Sequence, residues 1–165
     1  MTKPPTSTPE TGSAEDFLRL DRQLCFSLNA ASRAFGAVYR NLLKDLGLTY
    51  PQYLVMLALW EHGELPVKRL GELLRLDSGT LSPLLKRLES GGLVRRERSA
   101  HDERSVIVGV TPAGTALRER AALVPRRIMA ATGFDLHEAA ELRALLDRLT
   151  LALDDAALDT APPCD

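Results

Sequence analysis

At 165 residues with a formal net charge of −1, the chain is long enough for one compact domain with its own core and short for two. A composition of 45% hydrophobic and 26% charged residues excludes a disordered or fibrous protein, and no apolar run reaches the roughly 18 residues that span a bilayer. Two cysteines, Cys25 and Cys164, are no secreted disulfide framework, so a cytoplasmic protein with thiols reduced at rest is expected.

Residues 1–16 are rich in Pro, Thr, Ser and Gly and read as a disordered tail. From Phe17 to Leu46 a stripe of Leu20, Leu24, Leu28, Ala31, Phe35, Val38, Leu42 and Leu46 predicts one long helix closed by Gly47. In "TYPQ", Thr49 and Gln52 form a capping box and Pro51 suits a first turn, opening a helix to about His62. Pro66 opens a short helix to about Arg75, and Asp77 caps another that Gly91 and Gly92 end after Ser90. The runs "LVRRER" and "SVIVGV" read as a β-hairpin with the charged tip "SAHDER". Thr111 and Pro112 begin a helix to about Ala131, bent at Pro125, and Asp135 with Glu138 caps the last one. Residues 156–165 read as a flexible acidic tail.

Charge is unevenly placed. Between Lys68 and Arg104 nine basic residues face six acidic ones, which leaves −4 for the rest of the chain. A focused surplus of this kind suits an anionic partner. Two short helices, a tight turn and a basic hairpin follow the order of a winged helix-turn-helix, whose second helix enters the major groove. At 100° per residue, Leu81, Leu84, Leu85 and Leu88 share one side of that helix, while Gly79, Ser82, Pro83, Lys86, Arg87 and Ser90 share the other, flanked by Ser78 and Thr80. Small residues admit the backbone to DNA, hydroxyls bond phosphates or base edges, and Lys86 and Arg87 neutralise phosphate. Pro83 removes a backbone hydrogen bond and is expected to shorten or bend the helix. At the hairpin tip Arg104 suits the negative potential of a minor groove, with Asp102 holding its side chain. The fold class is therefore mainly α with a small β-hairpin: a DNA-binding lobe at about 49–110 and helical arms at about 17–47 and 112–155. Both arms carry apolar stripes longer than one small core needs, which predicts a homodimer on a palindromic operator with half-sites about 34 Å apart.

The run "TYPQYLVMLALWEHGELPVKRLGELLRLDSGTLSPLLKRLESGGLVRRERSAHDERSVIVGVTPAG" resembles the MarR family of winged-helix regulators. With "LCFSLNAASR" ahead of it, the chain is similar to the organic-hydroperoxide-sensing OhrR branch over Leu20 to about Leu153. The resemblance implies a homodimeric repressor whose terminal helices form the interface and whose wing arginine, here Arg104, enters the minor groove. It also implies that Cys25 is the peroxide-reactive residue, its thiolate favoured by hydrogen bonds from tyrosine hydroxyls, and that oxidation releases DNA and derepresses peroxide-resistance genes. Tyr39 and Tyr50 match two of those tyrosines. Asn29 stands where other members carry a third, and an amide also donates hydrogen bonds.

Cys25 falls at the margin of the first helix's apolar stripe, where a thiol is reachable. Tyr39, fourteen residues further on, is roughly 21 Å away along a straight helix, so the two meet only across an antiparallel neighbour such as a dimer partner. After sulfenic acid formation, branch members use either a second cysteine in the fifth helix or a small cellular thiol. No cysteine lies between Val124 and Gly133, which favours the small thiol. Cys164 is the internal alternative, within reach if seven extended residues span about 24 Å.

A thiol peroxidase is the rival of a different class, but no βαβ pattern, Cys-x-x-Cys, phosphate loop or nucleophile elbow accompanies Cys25. His62, His101 and His137 lack metal-ligand spacing, so neither metal nor cofactor is expected. The closer rival is a MarR-type repressor responding to a small anionic or phenolic ligand, with Cys25 as packing.

Overall fold

The structure, a computed structural model, describes residues 18–99 and 104–159. A 3-10 turn at Leu20–Arg22 precedes the first helix, α1, Leu24–Leu43. The expected start at Phe17 lies outside the described residues, and the helix is not continuous with that turn. Gln23 is extended, with φ −81° and ψ 114°, which breaks the i to i−4 ladder just before Leu24. Cys25 consequently sits in the first turn of α1 rather than mid-helix. At the other end a 3-10 turn, Lys44–Leu46, leads to Gly47 in the left-handed region at φ 68°, the stop that the sequence signals.

The second helix, α2, covers Tyr50–His62. Its capping box forms as expected: the Thr49 backbone N–H donates to Gln52 Oε1 at 2.9 Å, and Pro51 occupies the first turn. A two-residue strand, β1 at Leu65–Pro66, then enters α3 at Val67–Leu74. The helix α4, Ser78–Ser90, is capped by Asp77. Pro83 lies inside α4, yet the helix keeps thirteen residues, so the expected shortening does not occur. The strands β2, Val94–Arg98, and β3, Val106–Val110, pair antiparallel with Val94 opposite Val110 and Arg98 opposite Val106. The sheet has a third member that sequence reasoning missed: β1 pairs with β3, giving the order β1-β3-β2. Two residues cannot show a period-2 pattern, and Pro66 belongs at a sheet edge, where no ladder N–H is demanded of it.

Beyond the wing, the single bent helix expected from Pro112 is two helices, α5 at Pro112–Ala121 and α6 at Val124–Thr132, separated just before Pro125. The last helix, α7, runs Leu136–Asp159. Asp135 Oδ1 accepts from the Glu138 N–H at 2.8 Å, and Glu138 Oε2 accepts from the Asp135 N–H at 2.9 Å. Residues 156–159, read from sequence as the start of a flexible tail, are helical; the remaining tail positions lie outside the described residues.

The core belongs to the middle of the chain. Leu43, Tyr53, Val55, Met56, Leu59, Leu70, Leu81, Leu85, Leu88, Val94 and Val108 are buried in one cluster. The start of α5 is pressed onto it: a side chain at Gly114 would collide with the Leu93 carbonyl oxygen, and Trp60 Nε1 donates to the Gly114 carbonyl at 3.0 Å. By contrast, most of α1 and nearly all of α7 remain exposed. No helix among the described residues is long and apolar enough to cross a membrane.

Candidate nucleic-acid interface and thiol site

The α4 face follows the helical-wheel expectation. Leu81, Leu85 and Leu88 are buried and Leu84 is half-buried, while Ser78, Gly79, Thr80, Ser82, Pro83, Lys86, Arg87 and Ser90 are exposed. Asp77 holds the N-terminus by accepting from the Thr80 N–H at 2.8 Å and from Thr80 Oγ1 at 2.9 Å. These bonds keep the Asp77 carboxyl below its ordinary pKa. They also commit the Thr80 hydroxyl proton to the cap, so Thr80 offers an incoming phosphate or base an acceptor rather than a donor. Ser78 and Ser82 carry no such internal bond among the described residues. Ser90 Oγ donates back to the Lys86 carbonyl at 2.8 Å, a helix-closing role.

The basic surplus divides into two classes that sequence counting treated as one. Arg69 pairs with Glu72, Arg75 with Asp154, Arg95 with Glu64 and Glu97, and Arg96 with Glu89. Lys68, Lys86, Arg87 and Arg98 have no carboxylate partner among the described residues. Within the paired class Arg95 and Arg96 tie down the wing, and the unpaired class leaves positive charge for an anionic ligand. Arg96 of β2 donates through Nε and Nη2 to Glu89 Oε2, at 2.9 and 2.5 Å. Its hydrogen bonds hold the Glu89 carboxyl below the usual carboxylate range and fix the wing to the end of α4. Arg95 Nη1 also donates to the Val110 carbonyl at 2.9 Å, across the sheet. The Arg95–Glu97 pair was legible as i, i+2 neighbours on one strand face; Glu64–Arg95 and Glu89–Arg96 needed the fold.

Arg104 is exposed at the wing's return and lines a cleft of about 410 Å³ with Lys68, Ser82 and Arg96. α3, α4 and the wing thus converge on one cleft. Asp102 lies outside the described residues, as does Cys164.

Cys25 is exposed. Its neighbours Leu24, Ser27 and Leu28 line one side of a groove of about 1030 Å³ between α1 and α7, whose walls include Phe35, Tyr39, Tyr50, Leu142, Leu145 and Arg148. Asn29, one turn beyond Cys25 on α1, is exposed as well. Tyr39 and Tyr50 are brought together, ring centroids 4.5 Å apart, with Tyr53 at 6.0 Å from Tyr39. Burial, reinforced by the neighbouring Tyr50 and Tyr53, pushes the Tyr39 hydroxyl up to about 12. It therefore stays protonated, a hydrogen-bond donor, at neutral pH. Cys25 and Tyr39 occupy opposite ends of α1, the roughly 21 Å of helix rise between them intact. The helix brings the two tyrosines together and keeps the thiol apart from them within one copy. Among the described residues no group of His, Cys, Asp or Glu could hold a metal ion.

A family model described as transcriptional regulator SarA/Rot matches residues 37–120. The organic hydroperoxide resistance transcriptional regulator of Bacillus subtilis is 47% identical over 139 residues, covering 84% of this chain and 92% of that protein. This chain belongs to the MarR family of winged-helix transcriptional regulators, in its OhrR branch. The HTH-type transcriptional regulator TtmR of Methylorubrum extorquens is 50% identical over 141 residues, covering 86% of this chain and 71% of that protein. Among solved structures, reduced AbfR bound to DNA aligns with a TM-score of 0.76 at 36% identity, covering 88% of this chain and 99% of that one. As a MarR-family member the chain is a DNA-binding transcriptional regulator and not an enzyme, which removes the thiol peroxidase reading.

Proposed function

We propose that this regulator is a homodimeric repressor that senses organic hydroperoxides through Cys25 and then releases a palindromic operator, derepressing peroxide-resistance genes. The observation that carries the reading is the placement of an exposed thiol at one end of α1 and of the close ring pair Tyr39 and Tyr50 at the other. An antiparallel second α1 would set each thiol beside the other copy's Tyr39 and Tyr50. Exposed Leu24, Phe26 and Phe35 of α1 and the exposed leucines of α7 supply the apolar surface for that pairing. The arms, 17–47 and 112–155, are assigned to dimerisation and 49–110 to DNA. Ser78, Ser82, Lys86 and Arg87 face the major groove, Thr80 assists as an acceptor, and Arg104, with Asp102, reaches the minor groove. The relative's name, an organic hydroperoxide resistance regulator, supports the inducer class.

In the chemical step the Cys25 thiolate attacks the terminal oxygen of a hydroperoxide. The O–O bond breaks, the alkoxide leaves and is protonated to the alcohol, and Cys25 becomes a sulfenic acid. A small cellular thiol then forms a disulfide with Cys25, its proton leaving with the sulfenic oxygen as water. Cys164 is the internal alternative to that thiol. Tyr39, Tyr50 and Asn29 serve as donors to the anionic sulfur.

Fluorescence anisotropy of the reduced protein on its operator, followed by cumene hydroperoxide with and without a small thiol, tests this in wild type, Cys25→Ser and Cys164→Ser. Release lost only in Cys25→Ser supports the reading, and release lost in both variants makes Cys164 the resolver. A second reading rests on the groove itself, whose volume is that of a small-molecule site and whose wall carries Arg148 among leucines. It makes the inducer an anionic or phenolic ligand, and release unchanged in Cys25→Ser would establish it over the first.

A further inference from the structure

The turn between α3 and α4 is built around a residue that the backbone disfavours. Arg75 adopts φ 55° and ψ 40°, and it is the only non-glycine with positive φ among the described residues. Glycine would occupy this conformation without a Cβ penalty. The arginine side chain does something a glycine could not: its guanidinium donates to the carboxylate of Asp154, far along the sequence in α7. This ion pair joins α7 to the turn that precedes α4.

The turn transmits position to α4. The Arg75 N–H donates to the Glu72 and Gly71 carbonyls, and the Leu76 N–H donates to the Gly71 carbonyl at 3.0 Å. A Cβ on Gly71 would lie 2.9 Å from the Leu76 oxygen, so α3 and the turn are in close contact. Asp77, two residues past Arg75, caps α4. Arg75 is thus held to α3 on one side and leads directly into the DNA-facing helix on the other. Asp154 follows Ala152, which lines the groove between α1 and α7.

We infer that the Arg75–Asp154 pair is a strut that orients α4 from α7, making Arg75 and Asp154 positioning residues for DNA binding. The inference rests on the DNA-binding part of the proposed function and not on its redox chemistry. Without the strut, α4 keeps its cap and its exposed face but loses a fixed relation to the helical arms, and the two copies' recognition helices match adjacent major grooves less well.

The competing account is that Arg75 simply contacts phosphate. The two accounts give opposite results at Asp154. The parent protein carries Cys25→Ser, as do all variants, so that oxidation plays no part, and the probe is a duplex carrying the site that this parent selects from a random-sequence pool. With the strut, Asp154→Asn and Arg75→Gly each weaken binding by about three- to tenfold. Their double variant is no weaker than either single one, and the exchange Arg75→Asp with Asp154→Arg recovers affinity. Arg75→Gly suits the backbone at this position, so thermal unfolding near the parent's Tm separates lost orientation from lost folding. Affinity equal to the parent's or tighter in Asp154→Asn, or additive losses in the double variant, overturns the strut. A parent protein that selects no site overturns the proposed function instead.

Discussion

On α4, Leu81, Leu85 and Leu88 are each 1% exposed, whereas Leu142, Leu145 and Leu146 of α7 are 39%, 52% and 38% exposed. Both sets recur at helical spacing, and nothing in their chemistry distinguishes them. The difference is what the chain offers opposite. α4 meets apolar faces from α2, α3 and the sheet, while α7 meets a groove whose far wall is α1, itself exposed. A helical stripe with no facing stripe in its own chain is a stripe addressed to another chain. Lobe and arms therefore differ in whether burial is complete in one copy, and this makes them experimentally separable.

The largest separation is expected from two truncations. Leu85→Ala removes a core side chain and costs about 2–5 kcal/mol, read as a lowered urea midpoint independent of protein concentration. Leu145→Ala gives a loss that grows as the protein is diluted, because its burial depends on mass action. Equal, concentration-independent losses at both sites would erase the contrast between lobe and arm. Next in size is Leu146→Asp, which places a charge in the arm stripe. It leaves the lobe folded, with Trp60 still bonded to Gly114 and its fluorescence unshifted, yet yields a monomer by light scattering. Operator affinity then falls on the order of 100-fold because two half-sites are no longer read together. A dimer of undiminished affinity would show that α7 is not the interface.

These contrasts bear on what could be read from sequence. The capping residues Thr49, Asp77 and Asp135, the glycine stop at Gly47 and the two faces of α4 were legible because each rests on local geometry of a few residues. Failures came where a local signal met a longer-range condition. The stripe from Leu20 to Leu46 kept its period through Gln23, yet the helix begins after it; periodicity reports which face is apolar and not where the ladder starts. Pro125 was legible as a disturbance but not as a full break. β1 has two residues and exists only because β3 lies beside it. The basic surplus was real, but Arg75, Arg95 and Arg96 are neutralised by carboxylates from other segments, and only the fold shows that Lys68, Lys86, Arg87 and Arg98 have no carboxylate partner among the described residues.

A smaller effect sharpens the lobe's side of the comparison. Hydrogen bonds from Thr80 lower the Asp77 pKa. A depressed carboxylate contributes stability that is present above its unfolded value near 3.9 and lost as pH falls through the folded one. Asp77→Ala is expected to lower Tm by a few degrees at neutral pH, and the difference from wild type should vanish in strong acid. A gap that persists at pH 2 would mean that Asp77 acts through packing and not through its charge.

The smallest effect lies where the two regions meet. Tyr39 is on α1, an arm helix, but packs against the lobe's core with its ring tilted against those of Tyr50 and Tyr53. Its folded-state pKa, pushed up to about 12 by burial first and by its tyrosine neighbours second, lies above the value near 10 of an unfolded tyrosine. Between those values the unfolded chain sheds a proton that the folded chain keeps, so unfolding gains and stability falls as pH rises. Tyr53, raised in the same direction by burial, adds to the slope. The urea midpoint should therefore drop between pH 9 and 11, and Tyr39→Phe should flatten that drop while leaving the midpoint at pH 8 near the wild-type value. An unchanged slope in Tyr39→Phe would place the alkaline sensitivity elsewhere. It would also remove the physical reason for treating Tyr39 as a hydroxyl that keeps its proton while an anion forms beside it.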